Sequence, residues 1–466
     1  MVRAQRGVAL ITLALLNVFT IAAGAAVIGL GPRVGLPIGP RVLHPPATGP
    51  QAPVLSGLRG GAAPNPQLLG RRLKRPASAD ALGHLGAVVI DPASGKTLYD
   101  VNAQRGMTPA STTKLVTSLA ALSAVGPDHT IATRVVQGGG PNSVVLVGGG
   151  DPTLTTARRR SGDYPRFASL SDLATATAKK LRAGGVRKIT LGFDDSAYSG
   201  PRSAPGWKPN YIPDGNVAPV SALEVDEGRV SNREDGTDHG ARVGHPARFA
   251  ALKFASALRR AGIKVAGGTR RARAASGAKE IARVESPPLS ALVEHALTVS
   301  DNDLAEALSR QVAMKRGRPA SFDGATRAVT EELARLGVTH GVNLSDGSGL
   351  STRNRISPAA LAQVLSVAAA GGNDDLRAVL TGLPIGGFSG TLAHRYGTGT
   401  TAGAAGDVRA KTGTLNGVST LAGIANDEDG RLLVYAFMAG RFRSGLPAAE
   451  AALDRLAATV AACGCT

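Results

Sequence analysis

The first pattern along the chain is an apolar run, residues 8–30, that only three polar residues interrupt. Two arginines and no acidic residue precede this run. Its length suits a membrane-spanning helix, and the positive flank predicts that the N-terminus stays in the cytoplasm. The small residues at 22–26 equally suit cleavage by a signal peptidase. Residues 1–30 are therefore predicted to be a transmembrane anchor or a signal peptide, and both interpretations export the rest of the chain.

The next segment, residues 31–75, loses this apolar character and contains nine prolines and many glycines. Such a composition buries too little apolar surface to offset the entropy that is lost on ordering. We predict that residues 31–75 are a flexible linker that holds a folded domain away from the membrane.

Regular patterns of apolar and polar residues begin after the linker. Residues 85–90 and 96–99 predict the two strands of a hairpin, joined by turn-forming residues. A helix then begins near Ser111, with leucines recurring on one face, and a Gly-Pro pair ends it. These elements make residues 76–128 the first part of a predicted α/β domain.

The pattern changes twice more along the chain. Residues 129–284 mix short strands and helices with a long loop rich in glycine and proline, which predicts an inserted, β-rich mixed domain. Residues 285–466 return to helices and then to two strands whose short connection predicts an antiparallel pair. The predicted helices of this second part are 289–316, 324–336, 358–370 and 448–461, and the strands are 418–425 and 432–440.

Composition and charge exclude several classes of function. The formal net charge of +19 in 466 residues is compatible with nucleic acid, anionic membranes or anionic wall polymers as partners. The basic clusters are short and lack interleaved aromatic residues, so no nucleic acid is predicted to bind. The eight histidines form no HExxH arrangement, and no nucleotide-binding loop is complete. No metal and no cofactor are predicted.

The two cysteines, Cys463 and Cys465, are separated by one glycine near the C-terminus. Two cysteines are too few for a disulfide framework or a structural zinc site. A disulfide between them and a pair of free thiols both remain open from the sequence.

The sequence Ser111-Thr-Thr-Lys114 places a hydroxyl and an amine on one face of a helix, because positions i and i+3 are neighbours there. A serine hydroxyl needs a base within hydrogen-bond reach to act as a nucleophile. A lysine is such a base when burial and neighbouring cations lower its pKa. The start of a helix also offers backbone N–H groups to a developing oxyanion. Ser111 is the predicted nucleophile and Lys114 its base.

This spacing alone is weak evidence, because Ser276 and Lys279 repeat it in a Gly- and Ala-rich loop. Two companion motifs distinguish Ser111, and each occurs once in the chain: Ser300-Asp-Asn302 and Lys411-Thr-Gly413. Taken singly, the first is equally typical of a helix-capping turn and the second of a strand edge with a surface lysine.

Together the companion motifs complete a site for a peptide that bears a carboxylate. The Ser300 hydroxyl can relay a proton to a leaving amine, and the Asn302 amide can hold a peptide group of the substrate. Lys411 adds a positive charge, which keeps Lys114 neutral and attracts the carboxylate.

The strand that carries Lys411 adds three substrate-binding residues to the predicted site. Thr412 and Thr414 offer hydroxyls to the substrate carboxylate. Gly413 lets the substrate backbone lie against the strand, because no Cβ stands in the way.

The three motifs in this order are a signature of class A β-lactamases and penicillin-binding proteins. Within that superfamily the sequence resembles the D-alanyl-D-alanine carboxypeptidase/endopeptidases, the class C low-molecular-mass penicillin-binding proteins. The resemblance extends from about residue 80 to the C-terminus. Further segments that resemble the family are residues 109–111, 150–154, 218–223, 346–351 and 390–392.

The resemblance implies an α/β (α+β) fold: a β-lactamase/transpeptidase-like domain with an antiparallel sheet and a helical lobe, interrupted by residues 129–284. The 189 residues between Ser111 and Ser300 agree with the inserted domain of this family. The implied function is that of a penicillin-sensitive serine D-Ala-D-Ala carboxypeptidase, with DD-endopeptidase action as a related activity. By the same resemblance, the backbone N–H groups of Ser111 and Thr414 form the oxyanion hole.

Two other functions are weighed against this one. A β-lactamase-like hydrolase needs a glutamate for deacylation, and Glu331 and Glu332 lie in an amphipathic helical pattern without the expected Asn partner. A catalytically inactive wall-binding protein is disfavoured because every hydroxyl and amine of the site is present. The predicted partners are peptidoglycan stem peptides and, as covalent inhibitors, β-lactams, with a membrane contact if the N-terminal segment is not cleaved. The predicted location is the extracytoplasmic cell envelope.

Overall fold

The structure is a computed structural model that describes residues 61–156, 162, 164–230 and 240–466. The predicted anchor or signal peptide, and the predicted linker before residue 61, lie outside these residues. Within the described part, no helix has the length and apolar character needed to cross a membrane.

The described residues form ten α-helices and twelve β-strands. The helices are α1 (Pro66–Ala77), α2 (Thr113–Val125), α3 (Leu170–Ala183), α4 (Pro246–Arg260), α5 (Leu289–Thr298), α6 (Asn302–Lys315), α7 (Phe322–Arg335), α8 (Pro358–Ala369), α9 (Ala378–Thr381) and α10 (Leu446–Ala461). The strands are β1 (His84–Asp91), β2 (Lys96–Val101), β3 (Ala132–Gln137), β4 (Ser143–Val147), β5 (Lys188–Asp194), β6 (Lys264–Arg271), β7 (Glu280–Glu285), β8 (Val342–Asn343), β9 (Arg355–Ile356), β10 (Val408–Leu415), β11 (Val418–Asn426) and β12 (Leu432–Gly440).

The first sheet has the strand order β10-β11-β12-β1-β2, and every neighbouring pair is antiparallel. Strand β12 lies at its centre and is buried on both faces. Val434, Ala436 and Met438 face a core built with α2 and α5–α8, whereas the alternate residues Tyr435 and Phe437 face α1 and α10. This period of two explains why the strand is almost continuously apolar in sequence.

The second sheet lies within the predicted insert and has the order β6-β5-β4-β3-β7. Its β4-β5 and β5-β6 pairs are parallel, and the other two are antiparallel. Helices α3 and α4 supply the crossover connections that parallel strands require, and they bury one face of the sheet in a separate core. The fold class is confirmed, including its mixed, β-rich insert. The exact domain boundaries at 129 and 284 stay a prediction.

The predicted linker was wrong over residues 66–75, because these residues belong to α1. Asn65 caps this helix by accepting from the backbone N–H groups of two following residues, and Pro66 occupies its first turn. Leu69 and Leu73 are one turn apart and fully buried against the core around α10. The many prolines before residue 66 led us to extend the linker over the short amphipathic pattern that follows them.

The predicted single helix 289–316 was also wrong, because the chain breaks between α5 and α6. Ser300 has φ +63°, a left-handed conformation that interrupts helical hydrogen bonding. Asp301 then caps α6 by accepting from the Leu304 backbone N–H at 2.9 Å. The other predicted helices and strands of residues 285–466 are confirmed to within a few residues. Strands β3, β6 and β7 were missed.

A disulfide joins Cys463 and Cys465 directly after α10. Both cysteines are buried in the core that also contains Leu69 and Leu73 of α1. The backbone N–H of Asn65 donates to the Cys465 carbonyl at 2.7 Å, which ties the start of α1 to the C-terminus. The C-terminal segment is therefore part of the folded domain.

Candidate active site

Ser111 lies in a short 3-10 turn, Ala110–Thr112, immediately before α2. Two threonine hydroxyls hold this turn through one carbonyl. Thr112 Oγ1 donates to Pro109 O at 2.6 Å, and Thr420 Oγ1 donates to the same oxygen at 2.8 Å. The turn is therefore fixed both from its own helix and from the central sheet.

Two glycines allow other segments to lie directly against this turn. A Cβ on Gly413 would lie 3.0 Å from the Ser111 nitrogen and 2.7 Å from Pro109 O. Gly349 has φ +90°, and a Cβ there would lie 1.9 Å from Ala110 O. Strand β10 and the loop 346–351 thus enclose Ser111 from two sides, and only glycine fits at both contacts.

The Lys114 side chain is fully buried beneath Ser111. Its Nζ lies 3.1 Å from Ser111 Oγ, and it donates to Asn302 Oδ1 at 2.7 Å and to the Ser348 carbonyl at 2.8 Å. These contacts come from the same helix start, from α6 and from the loop 346–351.

This arrangement suits a neutral amine as well as an ammonium group. A neutral amine has two N–H donors and one lone pair, and both Asn302 Oδ1 and Ser348 O can only accept. These two oxygens can take both N–H groups, which leaves the lone pair of Lys114 towards the hydroxyl of Ser111. In that state the hydroxyl of Ser111 donates a hydrogen bond to Nζ.

Asn302 begins α6, and both the nitrogen and the oxygen of its side-chain amide form hydrogen bonds. Its Nδ2 donates to the Asn216 carbonyl at 2.8 Å, while its Oδ1 accepts from Lys114. Ser300 lies two residues earlier, in the left-handed turn, and is half-buried. The motif is therefore both a helix cap, through Asp301, and a part of the site, through Asn302.

A loop that sequence reasoning did not include in the site positions the Ser348 carbonyl. Glu306 Oε1 accepts from the backbone N–H groups of Gly347 and Ser348 at 3.0 and 2.8 Å. Asp346 accepts from the Gly349 and Ser351 N–H groups at 2.9 and 2.6 Å. Buried carboxylates that hold successive N–H groups fix a loop firmly. The Asp-Gly-Ser-Gly sequence of this loop was the available signal.

Lys411 is fully buried on β10, with Nζ donating to the Thr412 carbonyl at 2.9 Å. The Thr412 hydroxyl donates to Thr391 Oγ1 at 2.8 Å, within another of the segments that resemble the family. Thr414 is exposed, and its hydroxyl reaches Glu450 Oε1 at 3.5 Å. Strand β10 is the edge of the first sheet, so this row of residues borders open space.

Burial lowers the pKa of Lys411 well below its ordinary value, and the positive charge of Lys114 lowers that pKa further. The sequence predicted that Lys411 acts on Lys114. The structure adds the reciprocal influence of Lys114 on Lys411, since two nearby amines titrate as a pair. Protonation of one amine therefore makes protonation of the other less favourable.

The two glutamates that were weighed as the deacylating residue of a β-lactamase form hydrogen bonds and ion pairs with other residues of the helical lobe. Glu332 accepts from Ser123 Oγ at 2.7 Å and forms ion pairs with Arg316 and Arg335 at 2.5 and 2.9 Å. Glu331 is paired with Arg318. Both carboxylates therefore serve the packing of α7.

One group among the described residues has metal-ligand residue types: Glu227, His295 and Asp301, whose donor atoms lie within 4.8 Å of one another. Glu227 already forms an ion pair with Arg229 at 2.6 Å, and Asp301 caps α6. A guanidinium at this distance competes with a cation, so we assign no metal role to the group.

Comparison with solved structures identifies the class of fold that carries this site. Penicillin binding protein 4 (dacB) from Haemophilus influenzae superimposes with a TM-score of 0.67 at 24% identity, covering 84% of this chain and 98% of that chain. The chain therefore has the penicillin-binding-protein form of the β-lactamase/transpeptidase-like fold.

Sequence comparisons place the chain more narrowly. The D-Ala-D-Ala carboxypeptidase 3 (S13) family model matches residues 71–241 and 227–460. Carboxypeptidase DacB of Mycolicibacterium smegmatis is 39% identical over 82% of this chain and 82% of its own length. Carboxypeptidase Rv3627c of Mycobacterium tuberculosis is 39% identical over 83% of this chain and 82% of its own length. The chain belongs to the D-Ala-D-Ala carboxypeptidase 3 (S13) family, and the prediction of a D-Ala-D-Ala carboxypeptidase is confirmed.

Proposed function

We propose that Ser111 attacks peptidoglycan stem peptides that end in D-Ala-D-Ala and forms a covalent acyl-enzyme, with Lys114 as its base. The observation that carries this proposal is the 3.1 Å contact between Lys114 Nζ and Ser111 Oγ, with two further oxygens, Asn302 Oδ1 and Ser348 O, that accept from Nζ. A base within this distance is what nucleophilic catalysis by a serine requires.

In the acylation step, Ser111 Oγ forms a bond to the carbonyl carbon of the penultimate D-alanine. The hydroxyl proton passes to the lone pair of Lys114, and the carbonyl oxygen becomes an oxyanion. The backbone N–H groups of Ser111 and Thr414 receive this oxyanion. The close approach of Gly413 to the Ser111 nitrogen supports this pairing, because it brings β10 alongside the turn.

Collapse of the tetrahedral intermediate breaks the bond to the terminal D-alanine, whose amine must gain a proton to leave. Ser300 relays that proton from Lys114, which becomes neutral again. The partial exposure of Ser300 and its position two residues before Asn302 support this role. Water then attacks the ester as Lys114 takes its proton, and Lys114 returns that proton to Ser111 Oγ as the ester bond breaks and the shortened peptide leaves.

The substrate is expected to align along the edge of β10, as extended peptides do on exposed strands. Backbone groups of residues 384–386 bond to the first half of the strand, through Val408 and Ala410. The second half, with Thr412 and Thr414, faces the substrate and offers its hydroxyls to the terminal carboxylate. That carboxylate favours protonation of Lys411, whose buried amine then gains a counter-charge. Asn302 holds a peptide group of the substrate.

β-Lactams are expected to acylate Ser111 by the same chemistry and to inhibit the enzyme. If the leaving amine belongs to a neighbouring stem peptide, the same step is DD-endopeptidase action. We place this activity in the extracytoplasmic cell envelope, with residues 1–30 as an anchor or a cleaved signal peptide. The engagement of Glu331 and Glu332 by arginines argues against the fast deacylation of a β-lactamase.

Mass spectrometry of defined peptidoglycan fragments tests the proposal. The purified protein is incubated with a stem pentapeptide and with a crosslinked dimer, each with and without penicillin. We expect loss of one alanine from the pentapeptide, and penicillin should abolish that loss. Cleavage of the dimer would add endopeptidase action. Unchanged masses of both fragments would contradict the proposal.

A further inference from the structure

A small polar cavity of about 180 Å³ lies where the insert meets α6. Arg202, Arg271 and Arg310 contribute to its wall, together with Asp195 and Tyr198. Arg310 belongs to α6, and Arg271 is the last residue of β6 in the insert. We call this cavity the arginine pocket.

Arg310 forms the buried part of the pocket, with a side chain that is only 1% exposed. Its Nη1 donates to Glu306 Oε2 at 3.0 Å and to the Glu306 carbonyl at 2.9 Å. Its Nη2 has no hydrogen-bond partner among the described residues. The rings of Tyr198 and Phe322 hold the guanidinium at 5.4 and 4.2 Å. A rigid, buried guanidinium with an unused donor carries a desolvation cost that an acceptor would remove.

One carboxylate, that of Asp195, positions the two arginines in the outer part of the pocket. Asp195 forms ion pairs with Arg202 at 2.5 Å and with Arg271 at 2.6 Å. The Arg271 side chain is 64% exposed, so it lines an entrance from solvent. Three guanidinium groups line the pocket, and Asp195 is the one carboxylate among the lining residues, while Glu306 pairs with Arg310 from within α6. That balance disfavours a cation and favours one small anion.

We propose that the arginine pocket binds a small oxyanion, a phosphate or carboxylate group of a ligand. Arginine is the side chain best suited to these groups, because its planar donors match their oxygens. The volume accommodates a single group of this size, with the remainder of a larger ligand extending past Arg271. This site goes beyond the acyl transfer proposed for Ser111 and does not depend on it.

Thermal unfolding at constant ionic strength tests this proposal. The protein is titrated with sodium phosphate and, separately, with sodium acetate, each replacing sodium chloride. We expect at least one anion to raise the melting temperature saturably, as a ligand of the folded state does. A response to phosphate alone assigns a phosphate-bearing ligand, and a response to acetate assigns a carboxylate. Either response supports the shared chemistry.

Matched variants separate binding from the general effect of salts. R202Q and R271Q remove charge from the pocket wall, whereas R270Q removes the same charge from an exposed neighbour outside it. We expect R202Q or R271Q to move the titration midpoint to an about tenfold higher concentration, with R270Q unchanged. A pocket that holds only water would give no saturable response, or the same response in all three variants. Either result would overturn the proposal.

Discussion

The chain contains the same Ser-x-x-Lys spacing in two environments. At Ser111 the pair begins a helix, and Lys114 is fully buried among polar partners. At Ser276 the pair lies in an exposed connection between β6 and β7, where Gly277 has φ +73°. The spacing is the same, but only the first pair lies between the helical lobe and the central sheet.

The difference teaches that surroundings, rather than spacing, make the serine and lysine reactive. A helix stacks positions i and i+3, whereas a turn does not. Burial costs a charged amine its hydration, and acceptors from remote segments orient it. Substituting a residue packed in the folded structure should therefore have a larger effect than substituting an exposed residue of the same type.

The largest effect is expected from S111A, compared with S276A. Without the Ser111 hydroxyl no acyl-enzyme can form, so D-alanine release should fall by about 10⁴-fold or more. S276A should keep wild-type activity. Release of D-alanine and labelling by a fluorescent penicillin measure both variants. Penicillin labelling that persists in S111A would show that another residue is acylated.

The second comparison is K114M with K279M. Methionine keeps the length of the Lys114 side chain but removes the base, so acylation by penicillin should slow by about 10²- to 10⁴-fold. K279M should acylate at the wild-type rate. Stopped-flow labelling gives the rates, and circular dichroism checks that K114M is folded. A folded K114M with an unchanged rate would remove Lys114 from the mechanism.

The sequence was sufficient for the local features of the site. The i, i+3 spacing of Ser111 and Lys114 is set by helical geometry, and the apolar face that follows predicts the helix itself. Strand β12 was predicted at its observed bounds because it is buried on both faces and bounded by polar residues. These features depend on neighbours along the chain.

The features that were missed depend on partners far along the chain. Ser348 is 234 residues from Lys114 and contributes only a backbone carbonyl, which any residue type carries. Glu306 supports that carbonyl from within α6, where a glutamate is typical of a solvated face. Strands β6 and β7 are highly charged and contain at most one buried residue each, so they lack the alternation that indicates a strand. Their pairing within the sheet overrides that weak propensity.

The third comparison tests the part of the predicted linker that is folded. L73A truncates a fully buried residue of α1, so it should destabilise the protein by about 2–5 kcal/mol. L252A changes a leucine of α4 that is 44% exposed and should cost less than about 0.5 kcal/mol. Denaturant unfolding measures both changes. Equal stability of the two variants would mean that α1 is not packed against the core around α10.

The smallest effect is expected from D151N, compared with the exposed D375N. Burial raises the pKa of Asp151 from 3.8 to about 6, and its Oδ2 has no partner among the residues described. Because the folded protein binds the proton more tightly, stability falls as pH rises from 3.8 to 6. That pKa difference corresponds to at most about 3 kcal/mol. The asparagine Nδ2 takes the place of the unpartnered Oδ2 and offsets part of this, so the expected gain for D151N is about 1–2 kcal/mol.

The gain for D151N should be present at pH 7 and should vanish at pH values below 3.8, where the wild-type carboxyl is neutral in both states. Thermal unfolding of D151N and D375N across this range measures the difference. D375N should track the wild type at every pH, because its carboxyl is exposed. A gain for D151N that is independent of pH would mean that side-chain shape, rather than the cost of a buried charge, separates the buried aspartate from the exposed one.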